Sequence, residues 1–310
     1  MRTVLPPEPS DLDRAWREIR ERLIPTPVVA TDLAPGALLK LESFQPTGSF
    51  KVRGALSALT AVCGDEPVVT ASAGNHGLGI AYASQVTGHP ATVVVSRNAS
   101  PAKVAALRRF PVELVQHGES FDEAERHALD LAEQGMRFVS AYNDPHVIAG
   151  QATVGYELDV QAEGPLTVVC PVGGGGLAAG LALWGARRGD VRLVAVESHA
   201  SRAVSASVAA GKVVRTQVGA TIADGMSGNI EPGCVTPAIL ARRVHLTAVS
   251  ERELMLGLRW LFTSHGLVAE GAGAAAVAAL LAGRVPIHGR VVALVTGRNI
   301  TPAAFAEILP

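Results

Sequence analysis

The sequence predicts an α/β fold built on a largely parallel sheet. Short apolar, β-branched runs alternate with helical patterns along the chain, and these runs lack the polar residues that a solvent-facing strand would carry. Strands of this kind are typical of a sheet that helices cover on both faces. The 310 residues, of which 48% are hydrophobic, are enough for a large core in one large or two modest domains.

The clearest strands and helices alternate along the chain as such a fold requires. Five strands are predicted, at 68–70, 91–95, 167–170, 193–196 and 291–295. Helices are predicted over 101–109 and 120–134. The second of them begins with Ser120 and Glu123, which resemble a capping box. Because no repeat or low-complexity linker is visible, a second domain would have to be a lobe inserted in the first.

Charge and cysteine content exclude several classes of protein. Lys and Arg total 27 and Asp and Glu total 28, so at a net charge of −1 the chain has no basic field for nucleic acid or an anionic membrane. The three cysteines lack a CxxC spacing, which argues against a disulfide framework and a zinc site. The first residues contain no long apolar run, and the Ala/Gly-rich stretch 266–283 carries Glu270, unlike a membrane-spanning helix. We therefore expect a cytoplasmic protein without a nucleic-acid or membrane partner.

The first candidate site surrounds Lys51, in a segment with the sequence LESFQPTGSFK over 41–51. This segment predicts a strand end, a Pro/Gly turn and the start of a helix. A lysine in the first helical turn faces the positive end of the helix dipole, which would help to keep its amine neutral and nucleophilic. The segment alone fits a surface lysine on an ordinary helix start equally well.

The second candidate site follows strand 68–70 and has the sequence ASAGNHG over 71–77. Ser72, the Gly74 backbone and Asn75 would bring donors to a helix N-terminus, where a carboxylate or phosphate can bind. The alternative is that Ser72 and Asn75 only cap the helix, an interpretation that we do not favour for Asn75. His76 could act as an acid or base, but by itself a structural histidine is the favoured interpretation.

The third candidate site is a run of four glycines, Gly173 to Gly176, between an apolar strand and an Ala/Leu-rich helix. Four glycines lose much conformational entropy on folding, which is understandable where successive N–H groups must approach a phosphate closely. The run lacks the Gly-Lys-Ser/Thr of a P-loop and the spacing of a dinucleotide fingerprint. A flexible turn would need only one or two glycines, so a phosphate cradle is the better interpretation.

The fourth candidate site is Thr296, at the end of the last predicted strand. Alone it would be an ordinary β-branched residue at a strand end. In an open parallel sheet, however, ligands collect at the carboxyl ends of the strands. Thr296, the loop over 72–77 and the glycine run are therefore expected to face one crevice.

Together these segments resemble the fold-type II enzymes that use pyridoxal phosphate (PLP), and within them the serine/threonine dehydratase and serine racemase family. The resemblance extends from Glu42 to Asn299, nearly the whole chain, with the motifs in the expected order. Its anchors are SFKVRG over 49–54, SAGNHG over 72–77, GGGGL over 173–177, TIADG over 221–225 and TGRN over 296–299. It implies a tryptophan synthase β-like fold with two open, twisted, largely parallel sheets flanked by helices.

The resemblance also implies two domains. Residues 1–66 and 144–310 would form a large cofactor-binding domain. Residues 67–143 would form a small, mobile substrate domain inserted in it, which closes over bound substrate. The family further implies a homodimer. The chain ends at Pro310, soon after Asn299, so we expect no regulatory domain.

Individual roles are likewise implied by the resemblance. Lys51 would hold PLP as a Schiff base, with Phe50 packed beside the cofactor. Asn75 would hydrogen-bond the ring oxygen and Thr296 would face the ring nitrogen. The phosphate would be cradled by Gly173, Gly174, Gly175, Gly176 and Leu177. The substrate carboxylate site would contain Ser72, Gly74, Asn75 and His76.

The reaction implied is elimination of the β-hydroxyl of L-threonine, L-serine or a related β-hydroxy amino acid, which gives a 2-oxo acid and ammonia. Lys51, displaced by the substrate amine, would be the base at Cα. Serine racemases carry a serine as a second base before the glycine of the asparagine loop, and here that residue is Ala73. Dehydration is therefore favoured. The alternatives are an amino-acid racemase, a β-replacement synthase, or a non-enzymatic PLP- or phosphate-binding scaffold.

A metal is not expected. Metal-dependent members of the family carry a glutamate after the strand that matches 192–196 and an acidic residue six positions later. Here Glu197 is present, but the later position is Ala203. We therefore predict no essential metal and a structural, hydrogen-bonding role for Glu197.

Overall fold

The computed structural model describes residues 4–309. Residues 1–3, which begin the predicted large domain and were expected to lack an apolar leader, lie outside the described residues, as does residue 310. The described chain forms two open sheets with helices packed around them, which confirms the predicted α/β architecture. Within residues 4–309, no helix combines the length and apolar character needed to cross a membrane.

The larger sheet has six strands. Across the sheet they are β1 (Val28–Ala30), β2 (Leu38–Lys40), β10 (Arg290–Leu294), β7 (Leu166–Pro171), β8 (Val191–Ser198) and β9 (Val244–Val249). Neighbouring strands run parallel except β1 and β2, which are antiparallel. The carboxyl ends of β2, β10 and β7 therefore meet at one edge.

The smaller sheet has four parallel strands. In order they are β5 (Glu113–Gln116), β4 (Ala91–Val95), β3 (Val68–Ala71) and β6 (Arg137–Phe138). All of them come from the segment 67–143 that the sequence assigns to a small domain. The domain boundaries and the mobility of this segment stay predictions.

Helices surround both sheets. They are α1 (Pro9–Arg20), α2 (Lys51–Leu59), α3 (Asn75–Thr87), α4 (Pro101–Leu107), α5 (Phe121–Glu133), α6 (Pro145–Gln161), α7 (Gly176–Arg188), α8 (Ala203–Ala210), α9 (Thr236–Leu240), α10 (Glu251–His265), α11 (Ala275–Leu281) and α12 (Pro302–Ile308). Single 3-10 turns lie at Glu42–Phe44, Asp224–Met226 and Ala272–Ala274. At the start of α5 the capping box is present, because Ser120 Oγ accepts from the Glu123 N–H at 3.3 Å and the Glu123 carboxylate accepts from the Ser120 N–H at 3.1 Å.

The predicted strands are present with shifted ends. β8 extends beyond the predicted 193–196 at both ends, and β10 stops at Leu294 rather than at Val295. The Val295 N–H still donates to the Lys40 carbonyl of β2, but its own carbonyl accepts from the N–H of Ser43, which lies beyond the end of β2. The sequence indicated only the end of β2, near Leu41, and missed β1, β5, β6 and β9. Of the missed strands, β1, β5 and β6 have only two to four residues and β9 carries polar residues, so their apolar signal is weak.

Strand β7 shows why the central strands are apolar throughout. All six of its residues are buried. Val168 belongs to a core cluster that includes Leu181 of α7, whereas its neighbour Val169 belongs to a second cluster that includes Leu258 of α10. Since successive side chains of a strand face opposite sides, both faces of the larger sheet are covered, as predicted.

A buried network of charges lies beneath the start of α2. Arg53 Nε donates to Glu42 Oε2 and Arg53 Nη1 pairs with Glu157 Oε1, each at 2.7 Å, and Lys40 also pairs with Glu157. These side chains are at most 3% exposed. Two positive and two negative groups therefore neutralise one another inside the protein. The network joins β2 and α6 to α2, two residues after Lys51.

We expect replacement of Arg53 by Leu to lower the free energy of unfolding by about 3–5 kcal/mol, because the buried Glu42 loses its ion-pair partner and the buried Glu157 keeps only Lys40. Chemical denaturation followed by circular dichroism measures this. The control is Arg22→Leu, which breaks a partly exposed pair with Glu18 (2.8 Å) and should cost at most about 1 kcal/mol. Equal losses in the two variants would contradict a structural role for the network.

Candidate active site

One cavity, of about 540 Å³, lies between the two sheets. Its size is within the range of small-molecule sites. Every site residue predicted from the sequence lines it: Phe50, Lys51, Ser72, Gly74, Asn75, His76, Gly173, Gly174, Gly175, Gly176, Leu177 and Thr296. The expected convergence of four distant segments is therefore observed. What each residue binds there stays a prediction.

Backbone pairing brings Lys51 and Thr296 together. The Phe50 N–H donates to the Thr296 carbonyl at 3.1 Å, and the Arg298 N–H donates to the Gly48 carbonyl at 2.9 Å. The segment 48–50 thus lies antiparallel to 296–298, beyond the ends of the parallel strands β2 and β10. Lys51 begins α2 directly after this pairing, so its position relative to Thr296 is set by the main chain.

The Lys51 ammonium loses its proton more readily than that of an exposed lysine. Its Nζ donates to the Ala141 carbonyl at 2.9 Å and lies 5.3 Å from the centre of the Phe50 ring. Burial disfavours the ammonium and lowers the pKa of Lys51 to about 8, although the negative charge of Glu270 opposes this shift. The neutral, nucleophilic amine is consequently well populated at mildly alkaline pH.

The asparagine loop is compact and leads into α3. Ser72 Oγ accepts from the Gly74 N–H at 3.2 Å, and a Cβ at Gly77 would overlap the Ser72 carbonyl. Asn75 is the first residue of α3, and the first N–H groups of a helix have no partner within it. The start of α3 therefore offers the cavity backbone donors and the positive end of a dipole.

His76 is buried and neutral. Its Nε2 donates to the Val139 carbonyl at 3.1 Å, which leaves Nδ1 without a proton. Burial and the charge of Lys51 lower the pKa of His76 to about 3. The imidazole is thus not a general acid at neutral pH, which agrees with the structural interpretation. The place of His76 in the substrate carboxylate site stays a prediction. In that site His76 could donate to the carboxylate only through its backbone N–H.

The four glycines are required by close contacts. A Cβ at Gly174 would overlap the Tyr142 ring, and one at Gly173 would lie 2.8 Å from the Gly225 carbonyl oxygen. Gly175 has a φ of 88°, which side chains disfavour. The run ends in α7, a helix of thirteen residues. Its backbone N–H groups and helix dipole form a cradle suited to an anion.

Glu270 is a cavity residue that the sequence analysis did not assign. It is buried, and its Oε1 accepts from Asn75 Nδ2 at 2.6 Å. Burial raises the pKa of Glu270 to about 7. The sequence did mark Glu270 as unusual, because it is the sole charged residue in the stretch 266–283. This observation was used only as an argument against a membrane-spanning helix.

Three further cavity residues were also missed. The Tyr142 hydroxyl accepts from the Glu231 N–H at 3.0 Å, and its ring packs on the glycine run. Lys103 of α4, beside the smaller sheet, pairs at 2.8 Å with Asp224, which lies between β8 and β9 of the larger sheet in the chain. Asp224 belongs to the TIADG motif and Tyr142 to the segment after β6, and neither residue type departs from local preference.

Glu197 is a hydrogen-bonding carboxylate within β8. It accepts from the N–H groups of Val204 and Ser205 at 3.0 and 3.2 Å, at the start of α8. Burial raises the pKa of Glu197. Among residues 4–309, no group of three or more His, Cys, Asp or Glu is arranged to hold a metal. The absence of an essential metal stays a prediction.

A family model for pyridoxal-phosphate dependent enzymes matches residues 19–297. The chain belongs to this family. The match spans both sheets and all four candidate segments. It confirms the resemblance inferred from the sequence and the cofactor, PLP, that it implies.

Individual relatives agree. The L-threonine ammonia-lyase of Thermotoga maritima is 39% identical over 269 residues, which are 84% of this chain and 67% of that protein. Maize serine racemase has a TM-score of 0.90 at 26% identity, covering 98% of this chain and 97% of that one. The processed threonine deaminase isoform 2 of Solanum lycopersicum has a TM-score of 0.88 at 27% identity, covering 99% and 90%. These similarities confirm the fold-type II architecture.

The residues present fit PLP. An amine for its aldehyde, a glycine cradle for its phosphate and an amide for its ring oxygen all line one cavity. The close contacts of Gly174 and Gly173 show that the cradle is built without side chains, which leaves its N–H groups accessible to an anion.

Substituting Gly174 by Ala should weaken cofactor binding about tenfold or more, because the new methyl group displaces the Tyr142 ring that packs on the cradle. A titration with PLP followed by absorbance gives the dissociation constant. Gly219→Ala is the matched control, since its methyl group would meet Ala200 at an ordinary 3.6 Å. Unchanged affinity in Gly174→Ala would show that the cradle does not hold the phosphate.

Proposed function

We propose that this chain is a PLP-dependent ammonia-lyase. It would eliminate the β-hydroxyl of L-threonine, L-serine or a related β-hydroxy amino acid to give a 2-oxo acid and ammonia. The observation that carries the proposal is the buried Lys51 amine in one cavity with Asn75, the glycine cradle and Thr296. Similarity to proteins named L-threonine ammonia-lyase and threonine deaminase supports the substrate class.

The cofactor would be held at four points. Lys51 Nζ holds its aldehyde carbon, and Phe50 packs beside the ring. The N–H groups of Gly173 to Gly176 and of Leu177, at the start of α7, hold the phosphate. Asn75 Nδ2 donates to the ring oxygen. The Thr296 hydroxyl faces the ring nitrogen, and as a neutral group it does not enforce protonation there, which suits elimination better than transamination.

The substrate carboxylate would bind at the start of α3. Ser72 would supply a hydroxyl, and Gly74, Asn75 and His76 would supply backbone N–H groups. These donors lie at the positive end of the α3 dipole, which favours the negatively charged carboxylate. A carboxylate fixed there leaves the amine and Cα of the substrate directed to Lys51. Binding by backbone donors also explains why the His76 imidazole can stay neutral.

Lys51 would move the proton. With its amine free, the neutral Nζ would take the proton from Cα of the bound substrate. Bound PLP supplies a conjugated ring that delocalises the electron pair left at Cα. The protonated Nζ can then return this proton to the β-hydroxyl, which departs as water. The lowered pKa of Lys51 favours both transfers, because the amine is readily protonated and deprotonated near neutral pH.

Racemisation is the alternative. It requires a proton donor on each face of Cα, and the position of the serine used by racemases is occupied by Ala73, which lines the cavity. Maize serine racemase has a similar fold, but a similar fold does not supply the proton donor that Ala73 lacks. Formation of the D-isomer at a rate comparable to 2-oxo acid release would favour the racemase.

Lys51→Ala should lower 2-oxo acid release from L-threonine and L-serine by at least about a hundredfold, since the base at Cα is lost. It should also abolish the visible absorbance band of bound PLP. The control Lys212→Ala removes an exposed lysine outside the cavity lining and should behave as wild type. If the wild-type protein shows no such band after PLP addition, the proposed function is wrong.

The rate at which cofactor-free protein takes up PLP should rise with pH, with a midpoint at about 8. The reason is that only the neutral Lys51 amine attacks the aldehyde, and burial lowers its pKa below the usual value of 10.5. Stopped-flow absorbance from about pH 6 to about pH 11.5 measures the rate, with Nα-acetyl-lysine as the unburied reference, whose pKa is about 10.4. A protein midpoint equal to that of the reference would contradict the role of burial.

We also propose a cytoplasmic homodimer in which residues 67–143 move as a small domain. All three cysteines are free, which fits a reducing compartment. Exposed apolar side chains on and after α10, those of Leu256, Phe262 and Val268, are candidates for a subunit contact. The partly exposed bridge between Lys103 and Asp224 is a contact that domain opening would break.

A further inference from the structure

The Asn75 side chain is held from both sides by two residues that lie beside the larger sheet. Its Nδ2 donates to Glu270 Oε1 at 2.6 Å, and its Oδ1 accepts from Asn299 Nδ2, also at 2.6 Å. Asn299 Nδ2 donates in addition to the Thr47 carbonyl at 2.8 Å. Asn75 belongs to α3 beside the smaller sheet, whereas Glu270 and Asn299 lie beside β10. The contact therefore joins the two halves of the cavity.

These two partners permit only one orientation of the Asn75 amide. If the amide were rotated by a half turn, its oxygen would face the Glu270 carboxylate and its NH₂ group would face the NH₂ group of Asn299. Both contacts would then be repulsive, and the contact with Glu270 would be the more costly one, because Glu270 is buried whereas Asn299 is exposed. Asn299 and the Glu270 carboxylate each favour the same orientation, so the two act in the same direction.

Resting on the function proposed above, we propose that Glu270 and Asn299 are positioning residues that hold the Asn75 amide with Nδ2 directed to the ring oxygen of PLP. An amide NH₂ group has two hydrogens. One is used by Glu270, and the second remains for the cofactor. A rotated amide would instead present its oxygen to the ring oxygen, which it could not donate to.

Glu270 is itself fixed in place by close packing. Its N–H donates to the Gly297 carbonyl at 3.0 Å, and a Cβ at Gly297 would overlap the Glu270 carboxyl group. Gly273, one turn further on, packs on the Gly297 backbone so closely that it too has no room for a side chain. The carboxyl group thus has little freedom to leave Asn75.

The surroundings of Glu270 make its charge relevant at physiological pH. The charged groups that face it are Lys51 on α2, Lys103 on α4 and Asp224 in the 3-10 turn before α9. Burial raises the pKa of Glu270, and the charge of Asp224 acts in the same direction. Neutral or charged, Glu270 can accept from Asn75. The carboxylate accepts more strongly and disfavours a second negative charge on the ring oxygen nearby.

The test compares Glu270→Gln in the wild type and in an Asn75→Ala background. Gln keeps the size and one acceptor but can also donate, so it no longer selects one orientation of the Asn75 amide. In the wild-type background we expect the PLP dissociation constant to rise about three- to tenfold and the pH midpoint of the bound cofactor's visible band to move by about half a unit or more. In the Asn75→Ala background the effect on affinity should disappear, and the shift of the midpoint should shrink to the part that the lost charge of Glu270 causes directly.

Two further variants sharpen the test. Asn299→Ala removes the second partner, and combined with Glu270→Gln it should weaken PLP binding more than the product of the two single effects, since either partner alone still orients the amide. Glu197→Gln, which alters a buried glutamate outside the cavity lining, should change neither the band nor the affinity. Circular dichroism checks that each variant is folded.

Three outcomes overturn the inference. Glu270→Gln could leave the affinity and the band unchanged, its effects could persist undiminished in the Asn75→Ala background, or the Glu270 and Asn299 effects could simply multiply. Absence of a band in the wild type would instead overturn the proposed function, and this inference with it. A normal wild-type band with any of the three outcomes overturns the positioning role alone.

Discussion

Two short backbone segments, 48–50 and 296–298, hydrogen-bond to each other just beyond the parallel strands β2 and β10. These bonds form an antiparallel bridge between Ser49 and Gly297, beyond the parallel pairing of β2 with β10, and they fix the start of α2 relative to Thr296. The buried partners of Arg53 hold the same helix from below. The glycine run after β7 lies at the same edge, because β7 is the other neighbour of β10. The order β2-β10-β7 in the larger sheet therefore brings these segments together around the cavity.

Sequence reasoning located the residues that contradict a local preference. Lys51 stands at the positive end of a helix, and the four glycines lose much conformational freedom, so each requires an explanation outside its own segment. Glu270 escaped, because its significance depends on Asn75, which is 195 positions away in the chain. Short edge strands such as β6, with two residues, were missed because pairing rather than composition forms them.

Three titratable groups share the interior of the site, and burial moves each toward its uncharged form. The pKa values of His76 and Lys51 fall to about 3 and about 8, and that of Glu270 rises to about 7. Lys51 and Glu270 therefore both gain and lose protons near neutral pH, whereas His76 stays neutral there. A site with this balance can transfer protons at low electrostatic cost, since neither charge state is strongly preferred.

The tight contact between Gly297 and the carboxyl group of Glu270 also limits how related sequences can diverge. A side chain at position 297 would push the Glu270 carboxyl group out of its present place beside Asn75, whereas a shorter residue at 270 would open that space. A substitution at 297 therefore costs the site less after one at 270 than before it. In a homologue with a residue larger than glycine at 297, we expect that no glutamate at 270 holds the asparagine in this way.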